Sequence, residues 1–101
     1  MRHNITNGTW FDSDKATVFK EGTRWNGNNH ISLATGSQWE HEELFCTAGG
    51  AWVLHHWSQW QGSEPRYDQV DEAEAAAWLR RNEHHKVAAS LFPAETAGAE
   101  I

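Results

Sequence analysis

Trp39-Glu40-His41-Glu42-Glu43-Leu44-Phe45-Cys46-Thr47-Ala48-Gly49-Gly50-Ala51-Trp52-Val53-Leu54-His55-His56-Trp57-Ser58-Gln59-Trp60 reads as two strands and the turn between them. The arms, 39–47 and 51–60, carry aromatic and β-branched residues that suit a pleated surface. Ala48-Gly49-Gly50 offers a residue that takes positive φ without a Cβ penalty. Two registers follow. If Gly50 is the left-handed residue of a three-residue loop, Thr47 pairs with Ala51. Glu43 then faces His55, Glu42 faces His56, and His41 faces Trp57. If Gly49-Gly50 is a two-residue turn, Glu43 faces His56 and Glu42 faces Trp57. The first register is preferred, because it gathers Leu44, Cys46, Trp52 and Leu54 on one face, and a one-residue slip would scatter that face. Either register sets a glutamate opposite a histidine.

Downstream, Asp71-Glu72-Ala73-Glu74-Ala75-Ala76-Ala77-Trp78-Leu79-Arg80-Arg81-Asn82 is the clearest helix. Asp71 is a good N-cap with Glu74 three residues later, and acids at the start and arginines at the end suit the helix dipole. Ala75, Trp78, Leu79 and Asn82 fall at i, i+3, i+4 and i+7, one stripe to lay on a sheet. Residues 87–92 add another turn, which Pro93 stops. Upstream, Asn7-Gly8 between Ile5-Thr6 and Thr9-Trp10-Phe11 signals a hairpin. Asn26-Gly27-Asn28-Asn29 signals a turn between Arg24-Trp25 and His30-Ile31-Ser32-Leu33. The stretch from Lys15 to Glu21 fits a short helix or a strand. Tyr67 to Val70 is a short strand or a lead-in to the helix. The expected fold is α+β: an antiparallel sheet of about four or five strands, built of hairpins, with the C-terminal amphipathic helix on one face. Residues 1–92 form one small domain and 93–101 a flexible tail.

Leu, Ile, Val and Phe make up only 16 of the 101 residues, and the net charge is −6. That balance is usual for disordered chains. Seven tryptophans offset it, since one buried aromatic removes roughly 150–250 Å² from water. The patterns predict burial for Trp10, Trp52 and Trp78. Trp25, Trp39, Trp57 and Trp60 adjoin polar or turn residues. Ser37-Gln38-Trp39 and Ser58-Gln59-Trp60 nearly repeat 21 residues apart, which is read as coincidence. No apolar run approaches the roughly 20 residues of a membrane helix. Met1-Arg2-His3-Asn4-Ile5 lacks the apolar stretch of a secretory signal. Cys46 stands alone and reads as a small core residue, so the expected setting is the cytoplasm, without disulfides. Eight basic residues against fourteen acidic ones disfavour direct nucleic-acid binding.

Phe11-Asp12-(x2)-Lys15-Ala16, Trp39-(x)-His41-Glu42-(x)-Leu44-(x2)-Thr47-(x2)-Gly50-(x)-Trp52-(x)-Leu54, Tyr67-(x2)-Val70 and Glu74-Ala75-(x2)-Trp78-Leu79 form a recognisable layout over residues 10–82. It resembles small uncharacterised bacterial proteins, often phage- or plasmid-borne, with a T-x-x-G-x-W hairpin and an E-A-x-x-W-L helix. The resemblance implies a hairpin-plus-helix fold and carries over no functional residue.

Three uses of the polar residues compete. His41, Glu43 and His55 share a face in the preferred register and could ligate a metal such as Zn²⁺; cross-strand pairing of the same groups is the plainer alternative. A His–Glu acid/base pair lacks a nucleophile beyond Ser58 or Cys46, and His84-His85 are read as solvated. The leading expectation is a small acidic protein-interaction module without catalysis or cofactor. Its partner would meet Trp25, Trp39, Trp57, Trp60, Glu40 and Glu42, since exposed tryptophan marks interface hot spots. One variant is a mobile-element inhibitor offering Glu40, Glu42, Glu43, Asp71, Glu72 and Glu74 in place of DNA phosphates. A homodimer would follow from a tryptophan left uncovered.

Overall fold

The three-residue loop sets the centre of the structure, a computed structural model that describes residues 1–60 and 62–92. Gly50 has φ +85°. Thr47 N–H donates to Ala51 O at 2.8 Å, and Gly50 N–H to Thr47 O at 2.9 Å. Thr47 Oγ1 accepts from Ala51 N–H at 3.0 Å, so the threonine closes the turn twice. The register is the preferred one: Glu43 opposite His55, Glu42 opposite His56, His41 opposite Trp57.

Among the described residues eight strands and two helices form: β1 (Arg2–Asn4), β2 (Trp10–Asp12), β3 (Thr17–Lys20), β4 (Thr23–Trp25), β5 (His30–Ser32), β6 (Glu40–Cys46), β7 (Trp52–Ser58), β8 (Arg66–Val70), α1 (Glu72–Arg81) and α2 (His85–Leu91). The main sheet is antiparallel in the order β3-β6-β7-β8, with β1-β2 and β4-β5 as separate two-stranded ribbons. The fold is thus the expected α+β arrangement. The ambiguous segment 15–21 is mostly strand. Asp12 caps a single 3-10 turn over Ser13–Lys15, after which Thr17 and Val18, β-branched and poor in helices, lead a strand that pairs with β6. Helix α1 starts where expected, Asp71 accepting from Glu74 N–H at 2.8 Å. It ends in a left-handed Glu83 (φ +68°), with His84 N–H returning to Leu79 O at 2.8 Å. That pair of features is a Schellman stop.

Each sheet face has its own core. On one, Leu44 and Trp52 meet Ala75, Ala76, Trp78 and Leu79 of α1 and Ala88 and Phe92 at α2, with Phe19, Cys46, Leu54 and Val70 at the margin. On the other, Phe45 and Val53 meet Ile5 and Phe11 of the β1–β2 ribbon, with Ala16 and Tyr67 alongside. The second core lay outside the sequence expectation of one covered face. Buried Asn82 ties the layers together. Its Oδ1 accepts from Gly22 N–H (3.0 Å) and its Nδ2 donates to Trp78 O (2.9 Å). At Gly22 an added Cβ would lie 2.7 Å from Leu33 Cδ1 and 3.1 Å from Asn82 O, so a side chain there would displace the Leu33 tip and press the β3–β4 corner away from the helix end. The tail expected at 93–101 lies outside the described residues.

The tryptophans divide differently from the sequence expectation. Trp52 and Trp78 are buried, whereas Trp10, Trp25, Trp39 and Trp60 are 55%, 61%, 42% and 59% exposed. The correction at Trp10 follows from strand alternation. Phe11 points into the second core, so its neighbour points out, and the Arg2 guanidinium sits 4.5 Å from the Trp10 ring. Three alanines of α1 and α2 narrow the first core, which two indoles then suffice to fill.

Candidate functional site: a carboxylate–histidine sheet, a groove and an exposed tryptophan pair

Strand alternation sends Glu43, His55, His41 and Trp57 to the ribbon side of the sheet and Glu42 and His56 to the helix side. On the ribbon side His55 Nδ1 donates to Glu43 Oε1 (3.0 Å), while Lys20 Nζ holds Glu43 Oε2 at 2.7 Å. Burial pushes the Glu43 carboxyl up, but its bonds to Lys20 and His55 outweigh that, and its pKa lies below the ordinary value. His41 Nδ1 donates to Glu21 Oε2 at 2.6 Å, and Glu21 Oε1 accepts from Glu42 N–H (2.8 Å) and Ser32 Oγ (2.7 Å). Glu21 therefore replaces a backbone partner for β6 just past the end of β3. A row of rings runs along this face: His41–Trp57 at 5.5 Å, Trp57–His55 at 4.8 Å, His55–Tyr67 at 4.2 Å and Tyr67–His3 at 4.6 Å between centroids. Nε2 of His41 and of His55 is buried and bonded to nothing among the described residues.

The trio expected as metal ligands does not converge. Trp57 separates His41 from His55, each ring has turned Nδ1 to its own glutamate, and both Glu43 oxygens are engaged. Among the described residues no group of three or more His, Cys, Asp or Glu side chains is placed to hold a metal ion. A shared face is necessary for a site, but the strand ladder keeps these side chains in separate rows.

On the helix side the polar groups form a chain. Trp78 Nε1–H donates to Glu42 Oε1 (3.0 Å). Glu42 Oε2 lies 2.7 Å from His56 Nδ1, and His56 Nε2 lies 3.3 Å from Asp68 Oδ2. Asp68 also takes Arg66 Nε–H (2.7 Å) and Thr6 Oγ–H (2.6 Å). Burial raises the Asp68 pKa, while the bonds from Thr6 and Arg66 bring it below the ordinary value. Beyond this chain lies an open groove of about 460 Å³, lined among others by Glu40, Glu42, His56, Trp57, Glu64 and Arg66.

Where β6 and β7 leave the sheet, Trp39 and Trp60 pack against each other with centroids 5.5 Å apart. The two Ser-Gln-Trp copies are one structural device used twice. Ser37 Oγ accepts from Trp39 N–H (3.0 Å), and Ser58 Oγ from Trp60 N–H (3.1 Å). Each serine turn delivers its tryptophan to the pair, and Gln59 N–H to Trp39 O (2.9 Å) joins the two turns. Of the residues expected at a partner interface, Trp39, Trp57, Trp60, Glu40 and Glu42 gather at this end of the sheet. Trp25 does not; it stands on the β4–β5 ribbon against His30 at 5.1 Å.

Three further expectations change or fill in. His84 is not simply solvated. Its Nε2 bonds Lys20 O at 2.7 Å and its ring stacks at 6.2 Å from Trp78, because the Schellman stop turns it back over the helix end. Cys46 is half-buried and packs at the edge of the first core. The six acids considered as phosphate mimics are not a row of free charges, since Glu43 is buried on Lys20, Glu42 is held by Trp78 and His56, and Asp71 caps α1. Sequence reasoning missed Glu21, Arg66 and Asp68, which no local pattern marks; the only available sign of the tryptophan pair was the Ser-Gln-Trp near-repeat. Among the described residues no helix is long and apolar enough to cross a membrane. No family model, curated protein or solved structure matches the chain.

Proposed function

We propose that the protein is an interaction module that binds another protein through the open end of the β6–β7 hairpin, in the cytoplasm and without catalysis. The observation that carries this is the Trp39–Trp60 pair, two large indoles left exposed beside a groove in a chain that has few apolar side chains to spare. Exposed, rigidly held tryptophan is the residue type that dominates interface energetics. The histidines of the central hairpin support a structural rather than catalytic role, because His41, His55 and His56 each bond a carboxylate. An accessory role of the kind phage- or plasmid-borne proteins play fits such a module. The test is affinity capture with the wild-type chain against the Trp39→Ala/Trp60→Ala double variant, with light scattering of both. Partners lost only from the double variant support the reading. A partner profile that both chains share removes it, and a dimer abolished by the double variant would make a second copy the partner.

A further inference from the structure

Glu40 and Glu64 of the groove are exposed and hold no cation among the described residues. Glu42 faces the same space, and Arg66, the groove's one permanent cation among the described residues, is already bonded to Asp68. The groove's permanent charges are therefore net negative, in a chain of net charge −6. Beside it, close in sequence to the lining residues Glu40 and Ser58, the Trp39 and Trp60 indoles are exposed, and tryptophan is the best aromatic acceptor for a cation. The molecule shows this chemistry elsewhere: the Arg2 guanidinium lies 4.5 Å from the exposed Trp10 ring.

We propose that the groove receives an arginine-bearing segment of the partner protein, a guanidinium pairing with Glu40 or Glu64 and stacking on the Trp39–Trp60 pair. This rests on the interaction-module reading and adds the chemistry of the partner. Arginine suits both halves of the site, because its planar fork matches a carboxylate and its face stacks on an indole. The serine turns hold both indoles before binding, which limits the ordering cost on association. An acidic segment or a nucleic-acid phosphate would meet Glu40, Glu42 and Glu64 as like charges.

The experiment is a titration with the peptide acetyl-Gly-Arg-Gly-Arg-Gly-amide, compared with the same peptide carrying neutral citrulline, read on the indole N–H signals by NMR. The arginine peptide should shift Trp39 and Trp60 and leave Trp25 in place. Affinity should fall about fivefold in Trp60→Ala and again in Glu40→Gln/Glu64→Gln. It should also weaken as salt shortens the screening length from about 10 Å at 0.1 M to about 3 Å at 1 M. All three substitutions are at exposed positions, and unchanged circular dichroism confirms the fold. Equal shifts from both peptides, shifts centred on Trp25, or no shift would overturn the proposal. If the peptide fails while affinity capture still loses partners in Trp39→Ala/Trp60→Ala, the cationic claim falls and the module stands. If the peptide binds at the pair while capture is unaffected, the module falls and the guanidinium site stands.

Discussion

Replacing Asn82 by alanine should cost far more than the size of the side chain suggests. Asn82 is 3% exposed, and its amide joins the β3–β4 corner at Gly22 to the last turn of α1 at Trp78. Trp78 O keeps a second donor, Asn82 N–H at 3.0 Å, so alanine leaves that carbonyl satisfied. Gly22 N–H loses its acceptor in a close-packed corner. Two lost hydrogen bonds contribute about 1 kcal/mol each and the stranded donor about 1–3 kcal/mol, overlapping with one of them, for a total of about 2–4 kcal/mol. For a domain of this size that lowers Tm by roughly 10–25 °C. Asn82→Asp separates the halves. It keeps the acceptor for Gly22 but sets a carboxylate against Trp78 O and the negative end of the helix dipole, so at neutral pH it should be no more stable than the alanine variant. Urea unfolding followed by tryptophan fluorescence, with thermal scans by circular dichroism, measures both. A loss below about 0.5 kcal/mol for Asn82→Ala, a typical surface value, would refute the bridge. The corner also carries Glu21, next to Gly22, so a loosened corner should broaden the His41 ring signals as well.

Glu83→Gly should stabilise the fold by about 1 kcal/mol, because Glu83 holds φ +68° at the helix stop and only glycine adopts that conformation without a Cβ clash; unchanged or lower stability in urea would show that the Glu83 side chain compensates. Glu43 and Asp68 both have folded pKa values below their ordinary ones. Their stabilisation is therefore complete above the unfolded carboxylate range near about pH 4 and is lost as pH falls through the lowered folded values. Glu43→Gln should flatten that acid limb while lowering stability at neutral pH, and an unaltered limb in acid titrations would assign it to other groups. Trp52→Ala should cost about 3–5 kcal/mol by opening the first core, against less than about 0.5 kcal/mol for Trp60→Ala at the surface; similar losses by urea unfolding would contradict the division of the tryptophans.

The central hairpin and α1 were legible because their determinants are local. Gly50 and Thr47 set the turn, the turn sets the register, and period-two alternation then sorts Leu44, Cys46, Trp52 and Leu54 from Glu43, His55 and Trp57. Asp71, the Ala75–Trp78–Leu79–Asn82 stripe and the helix boundaries follow from spacing within a few residues. The segment 15–21 was not legible, since its propensities balance and the unpaired edge of β6 decides in favour of a strand. The candidate site was half legible. Five residues expected at a partner surface meet at one end of the sheet, but the expectation could not remove Trp25 or supply Glu21, Arg66 and Asp68.

What the sequence alone determined is a Trp-bearing antiparallel hairpin with two candidate registers, one of them preferred, followed by a capped amphipathic helix, because each depends on contacts between near neighbours. What only the tertiary structure decided is which side chains those elements leave uncovered. The β1–β2 ribbon closes the second face of the sheet and so buries Phe11 while exposing Trp10. Glu21 reaches His41 from 20 residues away and Lys20 reaches Glu43 from 23, engaging the carboxylates and the Nδ1 atoms that a metal would have needed. Trp39 and Trp60 are brought together, tilted with centroids 5.5 Å apart, by strand pairing and left outside both cores. Burial is a property of what packs on a surface, and for this chain the covering pieces come from distant segments that no local spacing can reveal.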